Sequence, residues 1–212
     1  MKKGKVSNAV IRRLPRYYRT LDTLYREGTV RISSSALGES MGVTASQIRQ
    51  DLSCFGEFGQ QGYGYNVADL RQALSDILGM NIGYTSVLLG AGNLGRALMR
   101  NFHFNKNGVI LSAAFDVDPK IIGTELNGYP IYSMDSLDDY LAEHKPSIGV
   151  LTVPKYAAQS VAERLIAGGV RGIWNFTNIE LNVSGSDVVV ESVHFADSLL
   201  TLSYLISEQS AQ

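Results

Sequence analysis

The chain has 212 residues and carries 19 Lys+Arg against 20 Asp+Glu, a net charge of -1, and that length accommodates two compact units with separate cores. It has no run of about 18 apolar residues for a membrane span, and the basic start Lys2, Lys3, Lys5 leads into Ile11-Arg12-Arg13, not into the apolar core of a secretory signal, so the expected compartment is the cytoplasm. A single cysteine, Cys54, excludes an intramolecular disulfide, and with His103, His144 and His194 scattered along the chain no metal-ligand spacing exists, so no metal site is expected.

The near-zero charge is unevenly divided. Residues 1–80 hold 11 Lys+Arg and 7 Asp+Glu, whereas residues 81–212 hold 8 and 13. The first part is therefore the candidate for a polyanionic partner, with Arg12, Arg13 and Arg16 as phosphate contacts.

Ser7 can cap a short helix through Arg13, and Pro15 suits the first turn of a longer helix reaching about Glu27. Leu14, Tyr17, Tyr18, Leu21, Leu24 and Tyr25 recur at helical spacing and form a core stripe. Val30-Arg31-Ile32 alternates as a short strand, and serines 33 to 35 offer an N-cap for a helix carrying Ala36, Leu37 and Met41 that Gly42 closes. Thr44 and Gln47 form a capping box, with Val43 stapled against Ile48. In the helix that follows, Ile48, Leu52 and Phe55 face the core, leaving Ser46, Gln47, Arg49, Gln50 and Ser53 outside. Arginine pairs with guanine and glutamine with adenine through two hydrogen bonds each, so this face suits a major groove. Asp51 would be repelled by phosphate and is read as a structural acceptor; Cys54 is read as a small buried hydrophobe.

The glycine-rich stretch Phe55 to Tyr65 reads as a tight two-stranded hairpin, the wing of a helix-turn-helix, whose tip can bring backbone close to another surface. Asn66 then caps a last helix with Leu70, Ala73, Leu74, Ile77 and Leu78 inward.

From Tyr84 the pattern changes to strand, Gly90-Ala91-Gly92-Asn93-Leu94-Gly95, helix, the dinucleotide fingerprint in its required context. Gly90 permits the tight turn, Gly92 the approach of a pyrophosphate, and Gly95 close helix packing. A second strand, Val109 to Phe115, ends in Asp116, 21 residues beyond Gly95. An acid there accepts hydrogen bonds from the adenosine ribose and favours NAD over NADP. Strands at 147–152 and 172–175, with a helix between them near 157–167, extend a doubly wound parallel sheet, whose strand ends carry Thr152-Val153-Pro154 and Asn175-Phe176. No His or Tyr-x-x-x-Lys pair stands at a strand end as an acid or base for hydride transfer, so the unit reads as one that binds without turnover. The residues alone leave open an NAD-dependent oxidoreductase and a regulator that senses coenzyme A or NADP. The last segment, from Phe195 to Ser207, is an amphipathic helix for its own domain or for a partner subunit.

In this order, Ala45 to Ser53, Phe58 to Tyr65, the fingerprint, Phe115-Asp116-Val117-Asp118-Pro119, Thr152-Val153-Pro154 and Asn175-Phe176 resemble the Rex family of redox-sensing transcriptional repressors over nearly the whole chain. The resemblance implies an α/β protein in three parts: a winged helix-turn-helix domain (1–80), a Rossmann domain (81–192) and a C-terminal dimerisation helix (193–212) swapped between the subunits of a homodimer. It implies NADH or NAD at Gly90 to Gly95, Asp116, Val117 and Asp118, with Thr152, Val153, Pro154, Asn175 and Phe195 on the nicotinamide side. It further implies operator DNA read by the helix starting at Thr44, the wing in the minor groove, and release of the operator when NADH closes the Rossmann pair. There are two departures. Ile48-Arg49-Gln50-Asp51 carries an amide where many relatives carry a second basic residue. His194 stands where some members place the acid that switches against an N-terminal arginine, here Arg19.

Overall fold

A computed structural model describes residues 6–60 and 62–210, the side chains of Gln60 and Ser210 excepted. The chain divides into two units, Met1–Ile82 and Gly83–Gln212. No helix among the described residues is long and apolar enough to cross a membrane.

The first unit runs α1 (Asn8–Arg26), β1 (Arg31–Ile32), α2 (Ser34–Met41), α3 (Ala45–Ser53), β2 (Gly59–Gln60), β3 (Gly64–Asn66) and α4 (Val67–Ile77). Four of these helices begin on a side chain that accepts a backbone N–H: Ser7, Ser33, Thr44 and Asn66. The break expected ahead of Pro15 does not occur, and α1 continues through it. Proline withholds one N–H from the Ile11 carbonyl, but Ile11 is exposed, while Val10, Leu14, Tyr17 and Leu21 are buried along one unbroken stripe. That stripe meets Leu37, Met41, Ile48, Leu52, Leu70 and Leu74 in the core of the unit. β3 lies between β1 and β2, both antiparallel to it, which makes the wing a three-stranded sheet.

At the centre of this core lies a charge. Asp51 is fully buried and receives Arg13 Nε at 2.6 Å, Arg13 Nη2 at 2.8 Å, the Tyr17 hydroxyl at 2.6 Å and Gln47 Nε2 at 2.7 Å. Burial alone would push its carboxyl up, but the bonds from Arg13, Tyr17 and Gln47 and the guanidinium charge together hold it below its ordinary value of 3.8. The Tyr17 hydroxyl, desolvated and bonded to the carboxylate, is pushed up to about 12. The network ties α3 to α1 across 38 residues of sequence.

The second unit runs β4 (Tyr84–Leu89), α5 (Asn93–Asn101), β5 (Val109–Asp116), β6 (Glu125–Leu126), β7 (Tyr129–Ser133), α6 (Leu137–His144), β8 (Ile148–Leu151), α7 (Lys155–Ala167), β9 (Gly172–Asn175), β10 (Val189–Ser192) and α8 (Phe195–Ser210). The sheet order is β10-β9-β8-β4-β5-β7-β6, parallel except for the β6–β7 pair. From central β4 the chain winds one way through β5 and β7 and the other way through β8, β9 and β10, so the direction reverses between β4 and β8, where such folds bind ligands. β4 is apolar throughout its second half because both faces are covered: Val87 and Leu89 join the core under α6 and α7, and Leu88 joins the core under α5. The connection between β9 and β10 contains no helix. On that side an apolar groove of about 370 Å³ stays open, lined by Phe102, Ile148, Val150, Trp174 and Val189.

Replacing Asp51 by Asn in the full chain should destabilise the first unit by about 3 kcal/mol in urea, the lower end of the range for breaking a buried ion pair because Arg13 is partly exposed. Because the folded carboxyl titrates below its unfolded value, its contribution is complete above pH 3.8 and disappears as the pH falls through the folded value. The difference between wild type and Asp51→Asn should therefore shrink on acidification. A gap that stays constant to pH 2 would contradict this account.

Candidate functional site

The three fingerprint glycines differ in what surrounds them. Gly90 has φ +95°, and a Cβ there would stand 2.9 Å from the backbone of Thr152 and Val153. At Gly95, the third residue of α5, a Cβ would fall inside the Gly90 carbonyl oxygen, so glycine is what brings helix and turn together. Gly92 has open space where a Cβ would be and is the N-cap of α5 without a side-chain cap. The first N–H groups of α5 therefore face that space with no partner from the helix itself, an arrangement suited to phosphate.

Beside it, the Asp116 carboxylate is oriented by its own loop. Oδ1 accepts the backbone N–H groups of Val117 at 2.7 Å and Asp118 at 2.9 Å. Oδ2 has no protein partner among the described residues and is placed for vicinal hydroxyls. The Asp118 carboxylate closes the turn by accepting the Lys120 N–H at 3.0 Å, and Val117 is 78% exposed next to it. These residues fit an adenosine diphosphate moiety, with its ribose on Asp116 and its pyrophosphate at Gly92.

On the other side of the crevice the expected residues also carry structural roles. Thr152 donates its hydroxyl to the Leu89 and Gly90 carbonyls, at 3.0 and 2.7 Å, and so joins the end of β8 to the end of β4. Val153 packs against the core, and Pro154 is the N-cap residue of α7. Asn175 is buried, and its amide donates to the Ile179 carbonyl and Ser192 Oγ while its oxygen accepts from the Thr177 N–H and hydroxyl. With every polar atom of that side chain in use inside the chain, Asn175 shapes the loop after β9 and is not a ligand-facing group, which corrects its expected role. Phe195 opens α8 at 57% exposure, its ring 6.3 Å from that of buried Phe176. His194, just before it, lies 3.5 Å from the Glu180 carboxylate.

In the first unit, Ser46, Arg49, Gln50 and Ser53 are exposed on one face of α3. Arg49 Nη1 reaches Ser34 Oγ at 2.9 Å, and with Ser33, Ser53 and Gly62 it lines a concavity of about 660 Å³ between α3 and the wing. Two expected contacts, those of Gln47 and Arg13, are corrected. Gln47 neither faces outward nor completes a capping box; Thr44 Oγ1 caps its N–H at 3.1 Å, but its side-chain NH2 donates to the buried Asp51 carboxylate at 2.7 Å, which turns the amide away from the Thr44 N–H that its oxygen would accept in a capping box. Arg13 forks onto the same carboxylate and is drawn into the fold, whereas Arg16 donates to the Met41 carbonyl and remains exposed. Arg12 stays exposed. Cys54, expected to be buried, is exposed, because it follows Gln50 by one turn and shares its outer face. Gln61 and the basic arm Lys2, Lys3 and Lys5 lie outside the described residues.

Sequence reasoning missed Thr177, Ser192 and Glu180, none of which sits in a motif. Only the polar pair Asn175 and Thr177 beside a strand end carried a local hint, the Asx-type bond from residue i to i+2.

Two family models match the chain: "CoA binding domain" over residues 84–179 and "Putative DNA-binding protein N-terminus" over residues 5–53. Among curated proteins, the redox-sensing transcriptional repressor Rex of Clostridium beijerinckii is 50% identical over 212 residues, all of both chains. That of Thermoanaerobacter pseudethanolicus is 49% identical over 208 residues, 98% of this chain and 92% of the relative. Among solved structures, RSP in complex with β-NAD+ and operator DNA is similar at TM-score 0.91 and 47% identity, covering 98% of this chain and 95% of that one. RSP in complex with β-NADH has TM-score 0.91 and 44% identity, covering 98% and 97%.

The glycine geometry separates folding from binding. Gly92→Ala should leave the melting temperature nearly unchanged and weaken dinucleotide affinity at least about tenfold, or 1.4 kcal/mol, by calorimetry. Gly95→Ala should lose stability by about 3 kcal/mol from overpacking against backbone, seen in thermal melts. Equal melts for the two variants would refute the division of roles.

Proposed function

Because the chain belongs to the Rex family of redox-sensing transcriptional repressors, we propose that it binds operator DNA through α3 and the wing, binds NADH or NAD in the second unit, and releases the operator when NADH accumulates. The observation that carries this reading is the pairing, in one chain, of a capped helix whose outer face presents Ser46, Arg49 and Gln50 with a crevice in which open space at Gly92 adjoins a half-free Asp116 carboxylate. Arg49 and Gln50 read base edges, and Ser46 and Arg12 hold phosphates. Gln61, Gly62 and Tyr63 of the wing complete the DNA-binding set. A bound dinucleotide supplies a nicotinamide whose charge differs between its two redox states; Ala91 in the turn and Asn93 and Leu94 at the start of α5 lie against its pyrophosphate, with Val117 and Asp118 flanking the adenosine. The relatives are named as transcriptional repressors, and in this reading the site senses occupancy.

Sensing requires two arrangements of the protein, one favoured by DNA and the other by NADH. In this reading the protein is a cytoplasmic homodimer. Phe195, Leu199, Leu202, Leu205 and Ile206 of α8 are all at least half exposed in their own chain, and a second copy covers them, which treats residues 193–212 as a dimerisation segment beside domains at 1–80 and 81–192. Phe195 then carries the state of the nicotinamide side to the partner.

NADH should weaken binding to a palindromic operator by about 5–150-fold, the usual span of allosteric coupling, and NAD should not, as measured by fluorescence anisotropy; equal effects would exclude redox sensing. Titration with NADH, NAD, NADP and coenzyme A decides the ligand, because the matched coenzyme A family and NAD share an adenosine diphosphate moiety, and preference for coenzyme A would replace the NADH reading. The double substitution Leu199→Asp with Leu202→Asp should turn the dimer into a monomer in light scattering; an unchanged mass would remove α8 from the interface.

A further inference from the structure

The wing carries a cation that the reading of α3 leaves unused. Arg31 stands on β1, paired in register with Asn66, while its neighbour Ile32 is paired with Tyr65. Successive side chains of a strand point to opposite sides: Ile32 packs against the core of the unit, and Arg31 is exposed. Its guanidinium lies over the Tyr63 ring, 5.9 Å from the centroid. Among the described residues no carboxylate is within ion-pair distance of it. Tyr63, at the hairpin tip, is itself 69% exposed.

Thirty-two positions apart in sequence, the two side chains are joined by backbone. At Gly64, with φ +70°, a Cβ would overlap the Ile32 carbonyl, so the hairpin closes directly on β1. Arg31 is therefore a fixed part of the wing. A guanidinium is weakly hydrated and stacks on aromatic rings, and the narrow minor groove of A·T-rich duplex, with its enhanced negative potential, attracts such a group.

We infer that Arg31, held by Tyr63, reads the minor groove beside the major-groove contact of α3 and favours A·T pairs, because the guanine 2-amino group obstructs the groove floor. The inference rests on the DNA-binding reading above and adds to it a specificity-determining residue outside the recognition helix.

The test starts from random-sequence duplexes enriched on the full-length wild-type protein. In the duplex that emerges, each A·T pair is replaced by I·C and separately by G·C; these two present the same major groove and differ only in the minor-groove amino group. Wild type should bind I·C over G·C by about tenfold at positions flanking the α3 contacts, the scale of one base-pair mismatch. Arg31→Gln should bring that ratio to within about twofold, Tyr63→Ala should lower it, and Tyr63→Phe should keep it, with discrimination at the α3 positions unchanged in all three. Tyr63→Ala leaves β1 intact and serves if Arg31→Gln melts early. A wild-type ratio of one, or an Arg31→Gln protein with the wild-type ratio, overturns the inference and leaves DNA binding standing. So does a uniform loss on every duplex with a salt slope lower by about one, the mark of a phosphate contact. Failure of wild type to enrich any duplex removes the DNA-binding reading itself, and this inference with it.

Discussion

A buried carboxylate decides which side chains the first unit can offer to DNA. Asp51 draws Arg13 and Tyr17 from α1 and Gln47 from its own helix, and an unpaired charge at that depth would be worth several kcal/mol against folding. The same bonds that satisfy it set the rotation of α3, because Gln47 and Asp51 lie one turn apart on the side that meets α1. What remains outward follows from that rotation: Ser46, Arg49, Gln50 and Ser53. A charged pin specifies one docking of helix on helix where an apolar contact would tolerate several.

The second unit rests on a comparable constraint made of backbone. Gly90, Gly95 and Thr152 crowd the point where the winding of the sheet reverses, two by lacking a side chain and the third by bonding the Leu89 and Gly90 carbonyls with one hydroxyl. Open space is left at Gly92, and Asp116, whose Oδ1 is held by the N–H groups of its own loop, ends the neighbouring strand.

Much of this was legible because it is local. The caps Ser33, Thr44 and Asn66 act within three residues, the fingerprint lies inside six, and Asp116 closes the strand that follows it; each is a short-range pattern with one mechanical reading. What escaped was tertiary. Gln47 could turn its oxygen to the Thr44 N–H or its NH2 to the Asp51 carboxylate, and only the burial of Asp51 settles the contest. Arg13 looked like surface charge because its partner is 38 residues away. Asn175 looked ligand-facing because strand ends usually are, yet its amide is taken up by Ser192 and Thr177 from outside any motif. Pro15 misled in the other direction: its local signal is strong, and an uninterrupted core stripe overrides it. Cys54 is legible from helix period alone, being a turn beyond Gln50, although cysteine as a residue type favours burial.

That exposed thiol has a practical side. It is the one cysteine in 212 residues, and its sulfur lies at the end of α3, donating to the Gln50 carbonyl at 3.5 Å. The protein therefore carries a single chemical handle at the end of the helix proposed to read the operator. A thiol-reactive fluorophore would attach once per chain without any other cysteine having to be removed. In the proposed two-chain repressor it would mark both reading heads symmetrically, and energy transfer between the two dyes would turn their spacing on the operator into an optical signal.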